Sequence, residues 1–426
     1  MENIDIKDFH RHPCFNPEAK GKFGRVHLPV APKCNIKCNF CDRKYDCVNE
    51  SRPGVTSTIL SPPQAELYMD KVLEKEPRIS VAGIAGPGDP FANGPETMGT
   101  LRRIRKNHPD TILCVSTNGM GVGPYIPELA ELEVSHVTVT VCAVDAEIGS
   151  KIYGWVSDNK VIYRGLKGAE LLLSRQLAAV KKLKEHGITV KINCIVIPGI
   201  NDHHVEEVAR SMKELGADLF NCMALFPNVN TPFGHLEQPP KEQMEELRKT
   251  AEKYLPQMRH CTRCRADAVG LLGDDRTEEF RGCLSDCSTA KIPKTVARPY
   301  IAVATQEGVL VNQHLGEARS FQIWGEEKNG TYRKITERDA PSAGGGIKRW
   351  HKLARILRDC RAVLISGIGD TPLDILMKAG VEPVEAAGFI EEALETVFSD
   401  GHKGRLKGRR KSCASGECLG NGGGCG

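Results

Sequence analysis

The sequence predicts an α/β protein: a (β/α) barrel, partial or complete and TIM-like, over residues 25–256, then a small α/β domain over 297–398. Three observations carry this. Short β-rich runs alternate with helix-length amphipathic segments six times between Arg25 and Pro256, and such alternation builds a parallel sheet with helical crossovers. Six or more units in that length suit a barrel better than an open sheet. After the Pro-punctuated stretch from Ile292 to Pro299, the alternation resumes on a smaller scale.

In chain order, residues 1–24 form an N-terminal segment that carries His10-Arg-His12-Pro-Cys14 ahead of any strand. The predicted barrel strands are 25–31, 79–84, 111–116, 136–141, 189–197 and 219–225, rich in β-branched and apolar residues. The predicted helices are 62–75, 96–107, 125–132, 174–186, 203–215 and 241–254, several opened by Pro or a polar cap. A cysteine-bearing connector spans 257–296. In the second domain strands are expected at 300–304, 320–324 and 362–366, with helices at 347–357 and 371–379. The end, 399–426, is a basic Gly-rich tail with Cys413, Cys418 and Cys425, and it lacks the apolar content to pack. It is expected to be disordered.

With 40% hydrophobic and 26% charged residues, the chain is neither disordered nor fibrous in composition. Its apolar runs fall far short of the ~20 residues that cross a bilayer. The opening Met1-Glu-Asn-Ile-Asp has neither the basic nor the apolar region of a secretory signal, so a cytoplasmic location is expected. The net charge of +4 belongs to 399–426, where six Lys/Arg face two acids. Without interleaved aromatics those charges are a weak nucleic-acid signal. Neither nucleic acid nor membrane is expected as a partner.

In a reducing compartment, 17 grouped cysteines read as metal binding rather than as a disulfide frame. The first predicted strand runs into Cys34-Asn-Ile-Lys-Cys38-Asn-Phe40-Cys41, at its carboxyl end. Three thiolates at this spacing hold three corners of a four-iron cubane and leave the fourth iron open, which marks a catalytic rather than a structural centre. Zinc, which takes four ligands, is the plainer alternative. The motif, with Phe40 before its last cysteine, resembles the cluster loop of the radical S-adenosylmethionine superfamily.

That resemblance implies that the open iron chelates S-adenosylmethionine and that the reduced cluster splits its sulfonium C–S bond to give a hydrogen-abstracting 5′-deoxyadenosyl radical. Two turns suit the cofactor. Gly86-Pro-Gly88-Asp89-Pro90 follows the second strand and exposes backbone at a tight turn. Ser116-Thr117-Asn118-Gly119 follows the third and offers three hydrogen-bonding side chains. Each is an ordinary βα turn alone; their place after consecutive strands behind the three-cysteine loop gives them meaning.

Further motifs narrow the resemblance: His10 to Cys14, Asp42-Arg-Lys-Tyr-Asp-Cys47-Val-Asn-Glu50-Ser-Arg-Pro-Gly54, Cys114, and Met258-Arg-His-Cys261-Thr-Arg-Cys264. Together, over about 1–290, they resemble the NifB family of nitrogenase-cofactor maturases, and 297–398 resembles the NifX-type, ribonuclease H-like domain fused to it. A protein that binds two further clusters as substrates needs soft ligands, but fewer than a permanent site. The resemblance implies one site from Cys47 and Cys114 with His10 or His12, with Glu50 as a nearby exchangeable oxygen. It implies another from Cys261, Cys264 and Cys14.

It further implies that two [4Fe–4S] clusters become an eight-iron, carbide-centred precursor of the iron–molybdenum cofactor. One S-adenosylmethionine gives its methyl group to a cluster sulfide, a second yields the radical that removes hydrogen from that methyl, and an added sulfur completes the product. An iron–sulfur donor protein, an electron donor and downstream nitrogenase cofactor carriers or scaffolds are the implied partners. Two rival readings are a radical enzyme with permanent auxiliary clusters acting on an organic or peptide substrate, and a non-catalytic iron–sulfur carrier.

Cys142, Cys194, Cys222 and Cys360 sit on apolar faces and read as core. His27 suits core or site equally, and Cys283 and Cys287 have no assigned role. In the second domain His314 reads as a cluster ligand or a solvated turn, and Ser366-Gly-Ile-Gly-Asp370 is a turn able to cradle an anion. It lacks the Lys of a phosphate loop. That domain is expected to hold or hand on the finished cluster.

Overall fold

The computed structural model describes residues 9–45, 50, 52–290, 298–327 and 330–399. The expectations for Cys47 and for the tail beyond Ser399 lie outside them. The chain divides into two compact units, Met1–Ala290 and Lys291–Gly426.

The first unit is built on β1 (Gly24–His27), β2 (Ile79–Ile84), β3 (Ile112–Thr117), β4 (Val134–Thr140), β5 (Thr189–Val196) and β6 (Leu219–Ala224). All five neighbouring pairs are parallel. The sheet runs β6-β5-β4-β3-β2-β1, so the barrel is partial. Crossovers are α1 (Pro62–Lys75), α2 (Gly94–Asn107), α3 (Ile126–Glu131), α4 (Ala146–Ile152), α5 (Gly165–Glu185) and α6 (Val205–Glu214), and α7 (Lys241–Glu252) follows β6. Pro62 and Pro63 open α1, where their missing N–H groups cost nothing, and Gln64 Oε1 accepts from Ser61 N at 2.9 Å. Outward residues of the strands, such as Val190, Ile192, Cys194 and Val196 on β5, pack against helix residues such as Val180, Leu183 and Met212 in one core. Burial of each large aliphatic contributes ~1.5–3 kcal/mol. Inward residues line the barrel.

Two features depart from expectation. The connector is part of the barrel unit: β7 (Val269–Leu271) adds antiparallel to β1, β8 (Asp274–Asp275) follows, and α8 (Thr277–Thr289) packs on α1. The backbones meet closely, since a Cβ on Gly24 would lie 3.1 Å from Gly270 O. The second feature is a hairpin of Tyr153–Asp158 with Val161–Tyr163, whose first strand pairs with Ile36–Cys38 in the three-cysteine loop. Cys142, Cys194 and Cys222 are core, as their apolar faces indicate.

The second unit is a mixed sheet of β9 (Tyr300–Val303), β10 (Ser320–Glu326), β11 (Tyr332–Asp339), β12 (Cys360–Ile365) and β13 (Glu382–Glu385), ordered β11-β10-β9-β12-β13. The first three pair antiparallel, and β12 and β13 continue parallel to β9. α9 (Ile347–Ile356) and α10 (Asp370–Lys378) cover one face and α11 (Ile390–Phe398) the other, with a core on each side. Cys360 is buried in the first of these cores. No described helix is long and apolar enough to cross a membrane.

Candidate active site in the barrel

The site begins where β1 ends. Leu28 N donates to Gly83 O at 2.8 Å, and the chain continues extended into Cys34. The loop that follows is pinned rather than free: Ile36 pairs with Val156, Asn39 N donates to Ile152 O at 2.9 Å, and Lys37 Nζ donates to Cys41 O at 2.7 Å. Phe40 is half-buried against an apolar cluster that includes Ile36 and Met120, and its carbonyl accepts from Asn228 Nδ2 at 2.8 Å.

Cys34, Cys38 and Cys41 all line a cavity of about 320 Å³ inside the barrel. Burial pushes the Cys34 thiol up to about 12, with the Asp89 carboxylate adding to it. Burial, then Cys41 and Cys34, raises Cys38 well above the ordinary thiol range. Burial raises Cys41 as well, opposed by Arg43 and Lys37. Three crowded thiols of this kind ionise when a metal centre supplies the positive charge.

The two turns form one bracket behind the loop. Asp89 is buried; its Oδ2 accepts from Thr117 Oγ1 at 2.8 Å and Asn118 N at 2.7 Å, while Oδ1 accepts from Phe91 N at 2.9 Å. Burial raises this carboxyl, and those hydrogen bonds pull the other way. Gly88 N donates to Ala31 O at 2.6 Å and Asp89 N to Lys33 O at 2.8 Å, so the turn is sewn to the stem of the cysteine loop. A Cβ on Gly88 would sit 2.0 Å from Lys33 O, which only glycine avoids. Gly86 is held at φ +132°, and its carbonyl takes the Ala31 N–H at 3.4 Å. Asn118 Nδ2 reaches Asn35 Oδ1 at 2.7 Å and Cys34 Sγ at 3.7 Å. Gly88, Asp89, Ser116, Thr117 and Asn118 line the cavity with Phe40; Gly86 does not.

The same cavity runs down the barrel to a second group of sulfurs: Cys14, Cys114, Cys261 and Cys264. The N-terminal segment closes the amino end of the strands. Ser80 Oγ donates to Arg11 O at 2.8 Å, His260 Nε2 lies 2.9 Å from Pro13 O, and Phe15 packs on Leu219 and Met258. Cys264 Sγ accepts from Arg25 Nη2 at 3.1 Å, and Arg25 is also held by Gly270 O at 2.6 Å and Asp275 at 3.1 Å. Burial raises Cys14 to about 11 and Cys114 to about 12. Among the described residues no three His, Cys, Asp or Glu side chains converge as tightly as the ligands of one ion. The thiols ring a space instead.

Three expected ligands stand apart from this ring. His10 is exposed. His12 is buried, but behind the cavity wall: its Nδ1 accepts from Cys14 N at 3.2 Å, its ring lies 4.5 Å from that of His136, and its Nε2 has no partner. Glu50 is engaged by Lys44 at 2.9 Å and Arg52 at 2.5 Å, and the Lys44 hydrogen bond leads in holding its carboxyl low. His27, left open by the sequence, lines the cavity with Nδ1 2.8 Å from Arg265 O; burial lowers it to about 4. Sequence reasoning passed over Lys191, Asn193 and Asn221, which also line it. Their signal was there, since polar residues recur at every second position of otherwise apolar strands.

Residues 28–212 match the profile of the Radical SAM superfamily, and 298–400 match that of the Dinitrogenase iron-molybdenum cofactor family. The FeMo cofactor biosynthesis protein NifB of Chlorobaculum tepidum is 49% identical over 99% of this chain and 99% of its own. The chain belongs to the NifB family. Its namesake from Frankia alni is 38% identical, over 91% of this chain and 87% of that protein, and that of Azotobacter vinelandii 37%, over 94% and 89%. A radical SAM domain and a cofactor-family domain thus share one chain of cofactor biosynthesis. In the second of these, His314 and Gly367 form a parallel bridge, so the two motifs singled out there are neighbours.

Proposed function

We propose that the barrel takes two four-iron clusters as substrates and returns one eight-iron, carbide-centred cluster, the precursor of the iron–molybdenum cofactor. The observation that carries this reading is that seven thiols line a single cavity, three on the rim loop and four farther down. Its resident groups are a [4Fe–4S] cluster and S-adenosylmethionine, and the residues present fit both. Cys34, Cys38 and Cys41 supply three soft ligands from one pinned loop, and Asn118 turns an amide N–H toward the first of them. When bound, the cluster delivers an electron to the sulfonium of S-adenosylmethionine and so supplies hydrogen-abstracting chemistry.

The protein's part is to hold and orient. The Gly86–Pro90 turn and the Ser116–Asn118 side chains face the cofactor; Asp89 fixes both turns. Cys14, Cys114, Cys261 and Cys264 receive the substrate clusters, and a site with few protein ligands lets the fused product leave. Cys47 belongs to the same proposed ligand set, with His12 held close by and Glu50 and His10 at the margin. The second unit takes part in holding or passing on the product to a downstream carrier.

Anaerobic reconstitution tests this. On adding S-adenosylmethionine and a reductant, two four-iron spectroscopic signals give way to one larger species while the cofactor is consumed. Auxiliary signals that survive every turnover contradict it, and indicate permanent clusters serving an organic substrate.

A further inference from the structure

Lys191 lies on β5 inside the barrel, 7% exposed, and lines the cavity. Its ammonium carries three donors, yet its recorded neighbours are the Met258 thioether sulfur at 3.6 Å and the Phe15 ring at 4.8 Å. Among the described residues no carboxylate pairs with it. Arg25, the other buried cation of this region, has Asp275, two backbone carbonyls and Cys264. The difference is chemical, because a buried charge is expensive unless matched by an opposite one. Thioether and ring face are weak matches.

The lining of the cavity identifies the missing counter-charge. Cys14, from the N-terminal segment, and Cys114, from β3, line it together with Lys191. A cubane held by thiolates is a net anion whose sulfides accept hydrogen bonds.

We propose that Lys191 is a positioning residue that seats the anionic substrate cluster on the barrel floor through its charge and N–H···S hydrogen bonds. This rests on the reading that the cavity receives substrate clusters. Lys191 acts on them from the side opposite the radical-cluster loop, and the Phe15 ring and Met258 sulfur beside its ammonium set the height of the charge. A cation there favours the reduced, more negative state and slows loss of the cluster.

The test uses the full chain with Cys34, Cys38 and Cys41 changed to Ala, so that only the substrate sites contribute iron, reconstituted anaerobically with ferrous iron and sulfide. Lys191→Met and Lys191→Arg are added separately. Lys191→Met should lose iron to a chelator at least tenfold faster and shift the one-electron reduction equilibrium at least tenfold, ~59 mV more negative. Lys191→Arg should stay within about twofold of the parent. The apo form of Lys191→Met should melt no lower than its parent, since an apolar stem replaces an unmatched buried cation. If Lys191→Met fails to fold, Lys191→Gln carries the same readouts. Equal iron loss and equal potential in the parent and the neutral variant overturn the proposal, as does Lys191→Arg behaving like Lys191→Met. A parent that holds no iron overturns the underlying reading, and Lys191 falls with it.

Discussion

Gly88→Ala should break the joint between the Gly86–Pro90 turn and the stem of the three-cysteine loop. The added Cβ would lie 2.0 Å from Lys33 O, 2.5 Å from Lys33 C and 3.0 Å from Ala31 O, all backbone atoms that cannot rotate away. Opening the gap sacrifices the Gly88 N to Ala31 O and Asp89 N to Lys33 O hydrogen bonds. Overpacking costs ~1–3 kcal/mol and the two bonds ~1 kcal/mol each, so the total is about 3–5 kcal/mol. At roughly 2–3 °C per kcal/mol for a unit of this size, the apo protein should melt about 6–15 °C lower. Gly282→Ala is the control: it lies exposed within α8 with nothing within 4 Å of the new Cβ, and should gain ~0.5–1 kcal/mol. Differential scanning calorimetry on the full chain measures both. A Gly88→Ala protein melting within 2 °C of wild type would refute the close approach and the fixed loop stem that follows from it.

Asp267→Ala strands Arg265, whose guanidinium meets the carboxylate twice, at 2.7 and 3.0 Å, with both groups buried. A loss of ~3–5 kcal/mol in urea unfolding is expected, and a loss under 1 kcal/mol would contradict it. Glu76 is buried and paired with Arg78 at 2.7 Å and Arg276 at 2.6 Å, and the Arg78 hydrogen bond leads in lowering its carboxyl from 4.5 to about 2. Because the folded value lies below the unfolded one, its stabilisation is complete above pH ~4.5 and disappears as pH falls toward 2. Discounted for solvent around Arg78, it is ~1–2 kcal/mol. Glu76→Gln should therefore be less stable than wild type by that amount at pH 6, with the gap closing in acid; a gap that stays constant with pH removes this assignment.

The six parallel strands were legible because inward–outward alternation is local and several helices announce their start with Pro or a polar cap. The hairpin from Tyr153 was not, since its purpose is non-local: it pairs with Ile36–Cys38 more than a hundred residues earlier. Its turn did leave a trace at Asn159 and Lys160, both at positive φ. β11 escaped notice because an antiparallel edge strand can be charged, and Arg333, Lys334, Glu337 and Arg338 make it read as loop. Within the site, the spacing of Cys34, Cys38 and Cys41 is local chemistry and was readable. The meeting of Cys14 with Cys261 and Cys264 depends on the N-terminal segment closing the barrel floor, and only family resemblance could suggest it. Lys191 showed itself only as polar alternation, which reveals an inward position but not what it faces.

Iron content with and without the rim thiols tests the account most directly. Reconstituted wild type should bind about twelve irons, for three four-iron clusters, and cleave S-adenosylmethionine. With Cys34, Cys38 and Cys41 changed to Ala, cleavage should vanish while about eight irons stay. Loss of all iron, persistence of cleavage, or zinc in place of iron would contradict it.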